Sequence, residues 1–221
     1  MLKNIAREHY REAIRMAWPA VLESVFVSLA GIIDTFMVSS MGTYAVAATG
    51  LIIQPKFLSL SFFFAINVAV SALVARRLGQ NNRRNANQVL VTALMMIVLL
   101  CVVLTIVTVI FANPFIAICG SNADTHEGAV IYFRVIQVGM IFNVLSLVIN
   151  AAQRGAGNTK IAMITNVTSS IVNIIFNYLL IDGNFGFPKW GLFGAAFATV
   201  LGTVFACAMS VHSLFQKDSY V

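Results

Sequence analysis

Charge is scarce in this sequence. Asp, Glu, Lys and Arg make up 10% of the 221 residues and acids number only 8, whereas hydrophobic residues make up 59% and mean hydropathy is +0.88. A soluble domain carries about 25% charged residues, so this scarcity excludes an ordinary soluble fold and indicates an integral membrane protein. Cysteine is also scarce, and Cys101, Cys119 and Cys207 form no C-x-x-C pair and have no histidine at ligand spacing. They are read as small apolar fillers, which excludes a cysteine metal site or redox pair. The opening MLKNIAREHYREAIRMAW lacks the short basic, apolar and small-residue pattern of a cleaved leader, so the first apolar span is expected to stay in the mature protein. No clustered acids or His–acid spacing inside the apolar runs could form a catalytic set, which argues against an enzyme. The pI near 9.6 does not signal nucleic acid, because the basic residues fall in short loops between apolar runs.

What the chain has in quantity is long apolar runs. Crossing about 30 Å of hydrocarbon takes roughly 20 helical residues, and six segments reach that length, near 17–41, 45–75, 88–111, 129–151, 161–181 and 191–215. The expected fold is therefore all-α and integral to the membrane. Residues 1–16 are expected to form an amphipathic cytoplasmic lead-in, 17–215 a single six-helix membrane lobe, and 216–221 a cytoplasmic tail. The second span is longer than a crossing needs and holds Gln54, Pro55 and Lys56 near its start, so it is expected to tilt, kink or project from the bilayer core.

The basic residues set the orientation. Lys3, Arg7, Arg11 and Arg15 precede the first span, Arg76, Arg77, Arg83 and Arg84 follow the second, Arg154 and Lys160 follow the fourth, and Lys217 lies in the tail. The alternate loops hold only Lys189. The positive-inside rule places both termini in the cytoplasm.

Within this scaffold the stretch GIIDTFMVSS stands out, because Asp34 has no basic residue within ten positions on either side. An acid at bilayer depth costs at least about 2.5 kcal/mol. The first span runs outward, which places Asp34 about 10 Å below the outer boundary at 1.5 Å per residue. On the fifth span, Asn166, Asn173 and Asn177 fall within about 20° of one face, joined by Ser170, and on the fourth span Tyr132, Asn143 and Asn150 share a face. Thr199 on the sixth span lies about 12 Å deep. Asp34, Asn173, Asn177 and Thr199 thus share one layer of the outer half, with Tyr132 just above it. Four oxygen-bearing side chains at one depth can hold a proton on the carboxylate or coordinate a hard monovalent cation such as sodium, although each asparagine could equally serve only as interhelical glue. Glu23 is expected near the inner interface, solvated or paired with Arg15. Lys56 and Arg134 are expected to snorkel to the outer surface, and His126 to be solvated in an outer loop beside Asp124 and Glu127.

The stretches MAWPAVLESVFVSLAGIIDTFMVSSMGTYAVAATG, SALVARRLGQNNRRNANQV, QRGAGNTKIAM and NIIFNYLLIDGNFGFPKWGLFGAAFAT span nearly the whole chain. In order and spacing they resemble the N-terminal lobe of the multidrug and toxic compound extrusion (MATE) transporters. That resemblance implies one half of a twelve-helix antiporter driven by a proton or sodium gradient, with no other cofactor, that exports amphipathic organic cations across a cell membrane, here the inner membrane of a bacterium. It places the cation or proton coupling site at Asp34, with Asn173, Thr199 and Asn177 around it. Asn177 stands where some branches have a second acid, so a sodium site at Asp34, Asn173 and Asn177 would have one carboxylate. The resemblance aligns Tyr132 and Asn150 with positions lining the first lobe's cavity, and Asn143 and Asn166 join them as expected cavity residues. A family member needs about twice this length, which implies a second six-helix lobe from a separate chain or a second copy, or else a truncated remnant that does not transport. A flippase for lipid-linked precursors is the third alternative. It would call for a cavity rich in Arg and Lys, whereas the interior reads as nearly free of buried bases.

Overall fold

The computed structural model describes the backbone of residues 2–215 and, before Ala17, the side chain of Ile14 alone. The side chains of Lys3, Arg7, Arg11 and Arg15, and the whole of the tail 216–221 with Lys217, lie outside the described residues. Seven α-helices follow in order: α1 Leu2–Ser39, α2 Thr43–Gly79, α3 Arg83–Ile110, α4 Ala112–Ile118, α5 Ala123–Gly155, α6 Thr159–Leu180 and α7 Gly191–Leu214. All but α4 are long and apolar enough to cross a membrane, with the crossing part of α1 at Ala17–Ser39.

The helices overrun the apolar segments because polar caps define their ends. Asn82 Oδ1 accepts from the Asn85 amide at 3.1 Å and starts α3 at Arg83. Asn122 and Thr125 form a reciprocal capping box that starts α5 at Ala123, ahead of the apolar stretch. Such caps satisfy amides that have no partner within the helix. α2 continues as one helix through Pro55. α4 lies where the sequence reads as outer loop. Its ANPFIAI is too short to span, but Ala112 and Ile116 are buried and Phe115 stacks on Phe133 with ring centroids 6.2 Å apart.

α5 is the hub, packing against α7, α2 and α3, while α6 lies against both α7 and α1. Burial follows this order: 61% of the apolar window of α5 is buried, against 6% of that of α1. One apolar cluster gathers Ile52, Phe133 and Ile181 toward the α1–α2 turn, and a second gathers Phe63, Ile97 and Val148 toward the α2–α3 turn.

Small residues bring α7 against α6. A Cβ added at Gly194 would come within 2.6 Å of the Leu180 carbonyl oxygen, and one at Gly202 within 2.8 Å of the Ser169 carbonyl oxygen. Backbone cannot yield as a flexible side chain does, so these glycines set the interhelical distance. Gly194→Val is expected to cost about 1–3 kcal/mol by overpacking, seen as a lower unfolding temperature in detergent. Gly31→Ala, whose added Cβ meets nothing within 4 Å, should leave that temperature close to wild type.

Candidate ion and substrate site

Because α1 packs on α6, the acid of α1 meets the amide stripe of α6. Asn177, fully buried, donates from Nδ2 to Asp34 Oδ1 and, at 3.4 Å, toward Asn173 Oδ1. Asn173 Nδ2 in turn donates to Thr199 Oγ1 at 3.1 Å, and the Thr199 hydroxyl donates to the Ala195 carbonyl one turn back at 3.0 Å. The asparagines are four residues apart and so share a helix face. Gly202 lets α7 approach closely enough that an added Cβ would lie 3.3 Å from Asn173 Cβ, which brings Thr199 within reach. Tyr132 of α5 is buried beside Thr199. The structure thus brings Asp34, Asn177, Asn173, Thr199 and Tyr132 together from four helices.

Within this hydrogen-bonded run, one buried atom lacks a partner. Asn177 Oδ1 is buried and accepts no hydrogen bond, an omission that costs about 1–3 kcal/mol. A proton carried by Asp34, or a hard cation between the two side chains, would satisfy it. The oxygens of Asp34, Asn177, Asn173 and Thr199 are the ligand type such a cation takes.

Lys56 departs from its expected position. It does not reach for the outer surface. It is half-buried and lines a cavity of about 20 Å³ together with Asn143, Thr199 and Thr203. The reason is helical register: Lys56 lies four residues after buried Ile52 and three before buried Ser59, on the face of α2 that packs against α5. Lys56 and Asp34 are close enough for each charge to act on the other. A cation at this depth costs about 2.5–3.5 kcal/mol. The interior therefore does contain a base, and spacing with Ile52 and Ser59 was the signal that could have located it.

Two expected cavity residues are engaged elsewhere. Asn166 Nδ2 donates to Glu23 Oε1 at 2.5 Å, and Arg154 Nη2 donates to the same oxygen at 2.7 Å, tying α1 to the C-terminal end of α5 and to α6. Glu23 is thus held by Arg154 rather than solvated. Asn150 accepts from Ser210 Oγ at 3.2 Å and donates to Ser146 Oγ at 3.4 Å, with Ser146 and Ser210 themselves 2.9 Å apart. That knot joins α5 to α7 and uses up the amide as glue. Arg134 is exposed. Gln137, outside the set expected from the sequence, is fully buried, and its Nε2 donates to Ser59 Oγ at 3.1 Å, tying α5 to α2.

The Arg154 side chain is 37% exposed, so water screens its pairing with Glu23. Arg154→Ala is expected to cost only about 1 kcal/mol. It should nonetheless speed amide hydrogen exchange in α1 around Glu23, which mass spectrometry of peptides covering that residue would detect.

The MatE family model matches residues 19–179. A probable multidrug resistance protein NorM of Thermotoga maritima is 26% identical, covering 99% of this chain and 47% of its own length. A FAD transporter of Shewanella oneidensis is 28% identical, covering 94% of this chain and 46% of its own length. Among solved structures, a MATE crystal structure in the bent conformation superposes with a TM-score of 0.86 at 29% identity, over 96% of this chain and 47% of that one. The chain spans about half the length of the curated relatives it matches. A family match over residues 19–179 and the same helical fold in a solved relative lead to one assignment: the chain belongs to the MatE family of multi-pass membrane proteins.

Proposed function

We propose that this chain is one six-helix lobe of a cation-coupled antiporter that exports small amphipathic molecules bearing a cationic group out of the cell. The observation that carries this reading is the partly buried polar chain Asp34–Asn177–Asn173–Thr199, with a buried acceptor on Asn177 left open beside the acid. When Asp34 is ionised, its carboxylate can hold the cationic group of a substrate. A proton or a sodium ion arriving from outside neutralises the same charge and fills the open acceptor. The two ligands therefore compete, which is the logic of exchange. α1, the least buried spanning helix, is the element free to repack when its acid changes state. Rocking of this lobe against a second six-helix lobe in the lipid bilayer would then turn the site from one side to the other.

The chain spans about half the length of its relatives, and the exchange cycle is proposed for this lobe acting together with a second. Among the described residues, a single interior lysine falls short of the basic cavity that a lipid-pyrophosphate flippase would require. The test is dye efflux from pump-deficient cells expressing the chain alone or with a second six-helix lobe from a relative, using ethidium and rhodamines. Export by the pair that stops when the ion gradient is dissipated supports the reading. No export by any pairing, with both lobes inserted, contradicts it.

A further inference from the structure

We propose that Lys56 anchors an anion subsite facing Asp34, so that the lobe selects zwitterionic amphiphiles, which carry a carboxylate as well as a cationic group, over simple organic cations. This inference rests on the proposed role of Asp34 as holder of the cationic group. Lys56 is on α2 and Asp34 on α1, and they are near enough to feel each other's charge. They nevertheless make no ion pair, since the only ion pair among the described residues joins Glu23 to Arg154. Two opposite charges that share an interior without closing on each other leave both available to a ligand.

The surroundings of Lys56 match one end of such a ligand. The cavity at its side chain has about 20 Å³ of space, enough for one water or for a carboxylate oxygen in its place. Asn143, Thr199 and Thr203 border the same space, and the Asn143 amide offers a further donor, while the Thr199 and Thr203 hydroxyls already donate to the Ala195 and Val200 carbonyls. Ile136, Met140 and Val200 complete the wall with apolar surface, which raises the strength of any charge contact inside it. Thr199 belongs to both halves of the arrangement, bordering the Lys56 cavity and receiving the Asn173 amide that leads to Asp34.

Charge arithmetic then decides the ligand. A simple cation drawn to Asp34 is repelled by Lys56, and a simple anion drawn to Lys56 is repelled by Asp34. A zwitterion gains at both. A lysine that served only to balance Asp34 would improve the fold but would not discriminate between ligands that share a ring system and differ in one carboxylate.

A matched dye pair separates these cases: a rhodamine with a free carboxylate, which is a zwitterion, and its methyl ester, which is a cation. Binding to the full chain in lipid nanodiscs is read by fluorescence polarisation. Wild type should bind the free acid about tenfold or more tighter than the ester. Lys56→Gln should reduce that preference to about one by weakening the acid and tightening the ester, whereas Lys56→Arg should keep it. The arginine variant retains the charge, so its preference reports the subsite even if the glutamine variant folds poorly. Equal binding of acid and ester by wild type, or an unchanged preference in Lys56→Gln, overturns the proposal. If both dyes bind equally and Asp34→Asn weakens both, only the anion subsite fails. If neither dye binds to wild type, the subsite and the substrate-holding role of Asp34 fail together.

Discussion

Asp34→Asn is expected to abolish gradient-driven export while leaving the lobe folded and inserted. The amide is nearly the same size as the carboxylate, and its own carbonyl can still accept from Asn177, which now donates to Asp34 Oδ1. What disappears is the charge and the ability to carry a proton. A unit charge about 4 Å from a cation at an effective dielectric of 20 is worth about 4 kcal/mol, so affinity for a cationic group should fall by several hundredfold. Initial efflux rates from dye-loaded cells should drop to the level of the empty vector. The unfolding temperature of the purified variant should equal or exceed that of wild type, because the cost of a buried carboxylate has been removed. Retained export would remove Asp34 from the coupling role, and a failure to fold would show the acid to be structural.

Asn177→Asp should install a sodium-responsive site. In wild type the Asn177 amide contacts the Asp34 carboxylate, and the remaining amide oxygen has no donor. An aspartate there would place two carboxylates in contact, a repulsion of about 4 kcal/mol at an effective dielectric of 20 unless a cation lies between them. Sodium can supply that cation with Asn173 and Thr199 as further oxygen ligands. Saturating sodium at about one hundred times its dissociation constant would stabilise the variant by about 2.7 kcal/mol, a rise in unfolding temperature on the order of 5 °C for a chain of this size. The check is a thermal melt in sodium chloride against choline chloride, in which the variant should respond more strongly than wild type. Equal responses would place the second carboxylate outside any shared site.

The parts of this account that could be read before the fold was seen are those that depend on local register. Six spans were legible because apolar runs long enough to cross a bilayer are separated by polar loops, basic only at alternate positions along the chain. Asn173 and Asn177 could be placed on one face because a four-residue step returns a helix to the same side, and depth counting put Asp34 and Thr199 at their level. What a span says about a residue's side, it does not say about its partner. Asn166 lies on the α6 stripe, but Glu23 sits lower on α1 and takes its amide. Asn150 shares a face with Tyr132 and Asn143, but Ser146 and Ser210 occupy its hydrogen-bonding atoms. Both partnerships depend on how α1, α6 and α7 stack around α5, which single-helix periodicity does not contain. Lys56 shows a different limit. Its depth was judged from the edge of an apolar run, while its direction was set by Ile52 and Ser59 on the face that meets α5. α4 escaped notice because seven residues are too few to register as a span, even though two of them are fully buried.

Competition between the coupling ion and the substrate for the single charge of Asp34 is the core of the proposed mechanism. Its most direct test is proton release on dye binding, followed with a pH indicator in weakly buffered, sodium-free solution. Starting with Asp34 protonated, wild type should release about one proton per rhodamine bound and Asp34→Asn none. Dye binding by wild type without proton release, or equal release by the variant, would contradict the mechanism.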